Sequence, residues 1–236
     1  MHQAVGRVQP DKGPATLCVA GVTFVADPAG ALYLEGERLL IVADLHLEKG
    51  SAFAERRVFL PPYDTAATLA RLSALVSHYR PRAVALLGDS FHDVRADGRM
   101  GEPDRARLLT LQATCDLIFV AGNHDPDVPL FLGTSVPQLE IKGITLRHEP
   151  QADPGAGEIA GHLHPVARVV SQSGSVRRRC FVSDGRRCIM PAFGAYAGGL
   201  NIRDVAFGPL LKGRVKAHVM GRAAIYAVDP SSCVGD

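Results

Sequence analysis

The sequence predicts an α/β protein whose core is a two-sheet β-sandwich flanked by helices. Between residues 39 and 121, apolar strand segments alternate with helical segments, which implies parallel strands joined by right-handed crossovers. After residue 125 the pattern changes to short apolar strands between glycine, proline and serine turns, which indicates a second, mostly antiparallel sheet. Polar residues follow several of these strands directly, at the carboxyl edge where open α/β sheets bind ligands.

Length and composition limit the class of protein. With 236 residues we expect one domain over residues 1–236, and the net charge of +2 is too small to imply a polyanionic partner by itself. No apolar run approaches a membrane span and no secretion signal is visible, so we expect a protein of the cytoplasm that makes no membrane contact. The cysteines lack C-x-x-C spacing, which argues against a disulfide framework and a zinc–thiolate site. They are Cys18, Cys115, Cys180, Cys188 and Cys233.

The amino-terminal third supplies the first strands. We expect a loose lead-in at residues 1–14, a strand at 15–26, a turn at 27–30, a strand at 31–34 and a central strand that ends at Asp44. Residues 50–62 end in two prolines and are expected to form a loop close to the ligands. Asp64 can cap the helix that follows, whose apolar residues recur at helical spacing as far as Tyr79.

The remaining elements follow from short apolar runs. A strand is expected at 83–87, a second amphipathic helix at about 103–113 and a third strand of the parallel set at 117–121. The second sheet is expected to contain strands at 138–141, 144–148, 159–160, 167–171, 176–182, 188–190 and 223–228.

Side chains that bind metals come directly after these strands, in a fixed order. The chain reads D-x-H at Asp44 and His46, G-D at Asp89, G-N-H-D at 122–125, a histidine at His148 and G-H-x-H at 161–164. A single one of these clusters would be weak evidence. Together they predict a metal site, because every residue type in the set binds hard or borderline metal ions.

This ordered set resembles the calcineurin-like metallophosphoesterase superfamily. Three further stretches are similar to the bacterial DNA ligase-associated metallophosphoesterase family: ADLHLEKG at 43–50, LPPYDT at 60–65 and PAFGAYAGGLN at 191–201. The likeness covers about residues 30–201 and implies a four-layer α/β/β/α fold. Glycine-rich residues 192–201 are expected to form a loop that either walls the pocket or only packs.

The resemblance implies two divalent metal ions held by seven side chains. Asp89 would bridge the two ions. The other ligands would be Asp44, His46 and His164 at the first ion, and Asn123, His148 and His162 at the second. Manganese is our first choice because the set is oxygen-rich and has no thiolate, with iron or zinc as alternatives.

Two further histidines are candidate catalytic residues. By resemblance His124 contacts the phosphoryl group or protonates the leaving oxygen, and orientation of ligands is the alternative role. His92 stands where protein Ser/Thr phosphatases have an aspartate, and G-D-x-F-H resembles the DNA double-strand-break-repair nucleases instead. Asp125 is expected to orient its neighbours or cap a helix. Glu48 and Lys49 lie close enough to reach a substrate, without a catalytic role.

The expected function is hydrolysis of a nucleotide or nucleic-acid phosphodiester by attack of a metal-bound hydroxide. The resemblance implies a DNA-repair context, with nucleic acid and with DNA-ligase or helicase-type proteins as partners. A phosphomonoesterase and a catalytically idle scaffold of the same fold are the alternatives. The arginines at 177–179 and 186–187 fit either a nucleic-acid backbone or a solvated strand face. The sequence leaves the oligomeric state open.

Overall fold

The computed structural model describes residues 14–171 and 174–236, so most of the predicted lead-in at residues 1–14 lies outside the described part. The first sheet begins with antiparallel strands and continues with parallel ones from its fourth strand onward. In spatial order its strands are β1 Thr16–Val19, β2 Val22–Asp27, β3 Ala31–Leu34, β4 Leu39–Ala43, β5 Ala83–Leu87, β6 Asp116–Val120 and β7 Ser135–Val136.

One predicted strand is a hairpin. The run at 15–26 is divided into β1 and β2 by Ala20 and Gly21, both of which have positive φ angles. Composition did not reveal this turn, because alanine is apolar and rarely adopts a left-handed conformation. The predicted parallel pairing is confirmed for β4–β5 and β5–β6, whereas the two-residue β7 was not predicted.

Four α-helices lie in the described part of the chain: α1 Lys49–Glu55, α2 Asp64–Tyr79, α3 Ala96–Arg99 and α4 Glu102–Thr114. The predicted loop at 50–62 was wrong over its first half, where α1 forms with the alanines Ala52 and Ala54 as good helix formers. Asp64 is not the cap of α2, which is Tyr63. Its carboxylate instead accepts the backbone N–H of Gly50 at 2.8 Å and so fastens α1 to α2.

The second sheet is mostly antiparallel, as predicted, with parallel pairs at its centre. Its strands are β8 Leu139–Ile141, β9 Ile144–Arg147, β10 Glu158–Ala160, β11 Pro165–Ser171, β12 Gly174–Ser183, β13 Arg187–Ile189, β14 Leu200–Asn201, β15 Lys216–Met220, β16 Ile225–Val228 and β17 Cys233–Val234. Strand β10 runs parallel to both β9 and β13. We did not predict β15, although its KAHVM sequence has the alternating burial that is typical of a strand with one buried face.

The two sheets pack face to face, which confirms the predicted sandwich. In β4, Ile41 and Ala43 face the second sheet, while Leu40 and Val42 pack under the helices. In β12, Phe181 lies between the sheets and Val182 faces outward. The outer face of the second sheet is covered by residues 202–215, which include a 3-10 helix at Val205–Phe207. The four described α-helices all lie between residues 49 and 114.

Within the described residues, no helix is both long enough and apolar enough to cross a membrane.

Candidate metal centre

The predicted metal ligands all come directly after strands of the two sheets. Asp44 and His46 follow β4, Asp89 follows β5 and Asn123 follows β6. The second sheet contributes in the same way, with His148 after β9 and the pair at 162 and 164 after β10. Because β4, β5 and β6 are mutually parallel and β9 is parallel to β10, their carboxyl ends carry these side chains to one edge of the sandwich.

Most of these residues have a backbone conformation that the sequence did not reveal. Five of the seven predicted ligands have left-handed φ angles, between 44° and 70°. They are Asp44, His46, Asp89, His162 and His164. Aspartate and histidine tolerate this region better than most residues, yet each instance costs on the order of 1–3 kcal/mol. The fold therefore holds strained backbone at this edge, as binding sites commonly do.

One group of ligand atoms contains Asp44, His46 and His164. The Nε2 atoms of the two histidines are 3.3 Å apart, and His164 Nε2 is 3.2 Å from Asp44 Oδ1. Burial, and then the nearby His164, lower the pKa of His46 to about 2, so its imidazole is neutral. A neutral imidazole is the form that binds a metal ion. These three residues could hold one ion.

A second group contains Asn123, His148 and His162. His148 Nδ1 lies 3.1 Å from the carbonyl oxygen of Leu87, which can only accept, so this nitrogen carries the hydrogen. His148 Nε2 therefore presents a lone pair, 2.8 Å from Asn123 Oδ1 and 3.2 Å from His162 Nδ1. His162 Nδ1 is 3.1 Å from the same Asn123 oxygen. Such convergence of lone pairs suits a cation.

Asp89 lies between the two groups. Its buried carboxylate is 3.4 Å from His148 Nε2 and 3.9 Å from His46 Nε2. Oδ1 of Asp44 also lies 3.6 Å from His148, but from its Nδ1 atom, which donates a hydrogen bond to the carbonyl oxygen of Leu87. Among the described residues, Asp89 approaches the metal-facing nitrogens of both groups, which is the position expected of a bridging ligand. Asp44 is also shared, because its carboxylate lies close to His46 and His164 and also to Asp89 and His148. The donor set as a whole fits divalent metal ions.

His124 lies at the open side of the centre. Its side chain is 43% exposed, and its Nε2 is 3.9 Å from Asp89 Oδ2. Its Nδ1 is 2.9 Å from the carbonyl oxygen of His92, so Nδ1 donates and Nε2 is the atom that gains or loses a proton. The rings of His92 and His124 stack with centroids 5.5 Å apart. Burial, followed by the charge of Lys49, lowers the pKa of His92 below its usual value.

Asp125 holds the backbone around the centre rather than contributing to a ligand group. Its buried Oδ2 accepts the backbone N–H of Phe91 at 2.9 Å, in the loop that follows Asp89. Burial raises the pKa of Asp125 to about 7, and the charge of Asp89 adds to this effect while backbone hydrogen bonds oppose it. The predicted role of an orienting residue agrees with this geometry.

Glu48 is turned away from the centre, contrary to the expectation that it reaches a substrate. Its buried carboxylate accepts hydrogen bonds from Ser51 Oγ at 2.6 Å and from Thr65 Oγ1 at 2.9 Å. The left-handed φ of 65° at Glu48 turns the chain into α1 and directs the carboxylate inward. The sequence did not show this, because a glutamate next to a metal motif gives no sign of its burial.

The loop predicted at 192–201 ends at residue 199, because Leu200 and Asn201 form β14, and it both borders the first ligand group and packs tightly. Phe193 and Gly194 donate backbone hydrogen bonds to the carbonyl oxygens of Ala43 and Asp44, at 2.8 and 3.0 Å. A Cβ atom at Gly194 would overlap the carbonyl of Leu45, so the close approach requires glycine. Tyr196 donates its hydroxyl to the carbonyl of Pro61 at 2.7 Å. The stretches at 43–50, 60–65 and 191–201, which are similar to the DNA ligase-associated family, are therefore in contact with one another beside the first ligand group.

The arginines at 177–179 and 186–187 differ in their contacts and in their burial. Arg177 pairs with Asp236 at 3.0 Å, and Arg179 donates to the carbonyl of Gly194. Arg187 is fully buried and pairs with the buried Glu158, so the solvated-face interpretation was wrong for it. Arg178 and Arg179 line one cavity together with Arg71 and Arg222, and the nucleic-acid interpretation of this cluster stays a prediction.

Comparison with known proteins supports the same class. No protein-family model matches the sequence, and neither does any curated protein. The structure is similar to the crystal structure of the nuclease MPE from Pseudomonas putida, with 25% identity, coverage of 92% of this chain and 100% of that chain, and a TM-score of 0.70. Weaker likeness is found to the phosphoesterase Yfce from E. coli, with 15% identity, 81% and 98% coverage and a TM-score of 0.40.

The fold is similar to that of a solved nuclease and its buried Asp and His side chains could hold metal ions, which is consistent with the calcineurin-like metallophosphoesterase class that the sequence motifs predict. Within that class, the comparisons support a hydrolase of phosphoester bonds that uses divalent metal ions. The closer likeness to the DNA ligase-associated family stays a prediction.

Proposed function

We propose that this protein is a metal-dependent phosphodiesterase that hydrolyses a phosphodiester of a nucleotide or nucleic acid. The observation that carries the proposal is the position of the Asp89 carboxylate between two groups of converging ligand atoms. The structural likeness to a protein described as a nuclease supports the choice of a diester. The histidine at position 92, where phosphoprotein phosphatases have an aspartate, supports it further.

The residues present would hold two ions. Asp44, His46 and His164 would hold the first, Asn123, His148 and His162 the second, and Asp89 both. When bound, such a pair polarises the phosphoryl oxygens and makes a water molecule nucleophilic at neutral pH. We propose manganese as the native metal, because carboxylate and amide oxygens make up much of the donor set.

His124 would act on the oxygen of the leaving group. Its Nδ1 is held by the carbonyl of His92, so a proton delivered to the substrate comes from Nε2 on the open side of the centre. His92 itself stacks on this ring and is largely neutral, because burial lowers its pKa. A neutral imidazole adds little attraction for the extra charge of a monoester dianion, which favours a diester.

We extend this proposal to a role in DNA repair. The resemblance to the DNA ligase-associated family implies DNA-ligase or helicase-type partners, and the structural neighbour from Pseudomonas putida is a nuclease. Co-purification of the tagged chain with a ligase or helicase from its own cells tests this extension separately from the chemistry.

The direct test is hydrolysis by metal-reconstituted protein. Matched aryl diester and aryl monoester substrates, cyclic nucleotides and DNA are compared with manganese, iron and zinc. We expect the highest kcat/KM for diesters, with manganese. A preference for the monoester would identify a phosphomonoesterase, and no hydrolysis of any ester by metal-loaded protein would contradict the proposal.

A further inference from the structure

We propose that residues 56–63, here called the rim loop, bind the polynucleotide strand next to the reacting phosphodiester, with Phe59 and Tyr63 stacking on nucleobases. This inference rests on the proposed function, because it assigns residues to nucleic acid beyond the phosphate in the metal centre.

The rim loop lies beside the centre and is attached to it on two sides. On one side it continues from α1, where the ring of Phe53 lies 5.9 Å from the ring of His92. On the other side the carbonyl of Pro61 accepts the hydroxyl of Tyr196, in the loop that is hydrogen-bonded to Asp44. A strand whose phosphate occupies the centre would therefore pass the rim loop as it leaves.

Two aromatic rings of the rim loop are exposed to solvent. Phe59 is 83% exposed and Tyr63 is 69% exposed, although a phenylalanine is among the residue types most often buried. The backbone that carries them is held in place, since Val58 donates to the carbonyl of Phe53 at 3.0 Å and Tyr63 donates to that of Pro61 at 2.9 Å. Because the backbone that carries these rings is already fixed, the loop loses little conformational entropy when it binds a partner.

The charge of the rim loop indicates the chemistry of the molecule that binds it. Arg56 and Arg57 are exposed, and among the residues that the structure describes neither forms an ion pair. The adjacent carboxylate of Glu55 is already paired with Arg95, at 3.0 Å. Free guanidinium groups beside exposed aromatic rings match the chemistry of a nucleic-acid strand, with phosphates for the cations and base faces for the rings.

The chain contains no tryptophan, so a single one becomes a specific reporter of stacking. We would prepare Phe59→Trp and, as a matched control, Val205→Trp, because Val205 is 89% exposed on the far face of the second sheet. Metal-loaded protein is mixed in a stopped-flow instrument with an oligothymidylate of about 12 nucleotides and read before turnover. We expect saturable quenching in Phe59→Trp and none in Val205→Trp.

Kinetics give a second readout. In Phe59→Ala/Tyr63→Ala, we expect the ratio of kcat/KM for the oligonucleotide to kcat/KM for a small aryl diester to fall about tenfold or more. In Arg56→Gln/Arg57→Gln, the negative slope of log K for oligonucleotide binding against log salt concentration should decrease in magnitude by about 1.4, for the loss of two single-strand phosphate contacts. Val205→Ala should change neither value.

The outcomes separate the inference from the function on which it rests. Hydrolysis of diesters without quenching in Phe59→Trp, and with an unchanged ratio in the alanine variant, overturns the inference alone. Tryptophan emission that changes with protein concentration when no oligonucleotide is present would make the rim loop a contact between copies of the chain, and also overturns it. If no diester is hydrolysed by any variant or by the wild type, the proposed function itself fails.

Discussion

The backbone N–H of His124 donates a hydrogen bond to Oδ1 of Asp89, at a distance of 2.9 Å. The main chain of the proposed acid thus holds the carboxylate that lies between the two ligand groups, while the side chain of His124 faces the open side. Because the bond comes from the backbone, removal of the imidazole leaves it in place. The roles of metal binding and proton transfer can therefore be separated by mutation.

Replacement of His124 by alanine should lower kcat by roughly 10²–10⁴-fold, the usual contribution of a general acid or base. Metal content should stay near the wild-type value, because Asp89 keeps its backbone donor. Turnover of an aryl diester and elemental analysis are measured on the same preparation. His78→Ala, an exposed imidazole in the last turn of α2, is the matched control. Loss of metal together with activity would make His124 a ligand or an orienting residue instead.

Replacement of His92 by alanine should reduce the preference for diesters over monoesters by about tenfold, because the neutral imidazole would donate one hydrogen bond to the diester and offers no charge to compensate a monoester dianion. The carbonyl that orients His124 belongs to the backbone and survives the change. The measurement is the ratio of kcat/KM for matched aryl diester and monoester substrates, with metal content verified. An unchanged ratio would remove His92 from the basis of selectivity.

Gly122→Ala should abolish metal binding and lower stability. A Cβ atom at this position would overlap the backbone N and Oδ1 of Asp89 and the Oδ1 of Asp125, so the central carboxylate must move. Gly98→Ala is the control, because a Cβ at Gly98 meets no atom within 4 Å and alanine favours a helix. Metal content and the midpoint of thermal unfolding are compared. Full metal loading in Gly122→Ala would show that Asp89 need not occupy the position described.

Arg187→Met should destabilise the protein by about 3–5 kcal/mol, because it leaves the carboxylate of Glu158 buried without its closest partner. The double variant Arg187→Met/Glu158→Leu should lose less than the sum of the two single losses, since it removes both buried charges. The free energies of unfolding come from urea titrations. Additive losses would show that the two charges do not interact.

The sequence predicted that the candidate ligands follow strands, and the structure has each of them directly after a strand, while their role as ligands stays a prediction. Asp44, Asp89 and Asn123 came to one edge because the strands before them are parallel. The left-handed backbone at five of these residues was not predicted, because aspartate and histidine adopt this conformation only occasionally. The burial of Arg187 was missed because its partner Glu158 is 29 residues away in the sequence.

Helix α1 and the inward turn of Glu48 were missed because they depend on a neighbouring helix. The short α1 is held by the Asp64 carboxylate at the start of α2, and Glu48 by Thr65 one residue further. Local propensity over residues 50–62 was dominated by Pro61 and Pro62, which predicted a loop. Tertiary hydrogen bonds outweighed that local signal over the first half of the segment.

The most direct test of the proposed two-ion centre is the divalent metal content of the wild type and of Asp89→Asn, measured by elemental analysis after reconstitution. The control is Asp64→Asn, a change of a second buried aspartate that binds Gly50 rather than the ligand groups. We predict two ions per chain in the wild type and the control, and loss or weakening of both in Asp89→Asn, because one carboxylate serves both ions. A single ion per chain in the wild type, or unchanged metal content in Asp89→Asn, would contradict the centre described here.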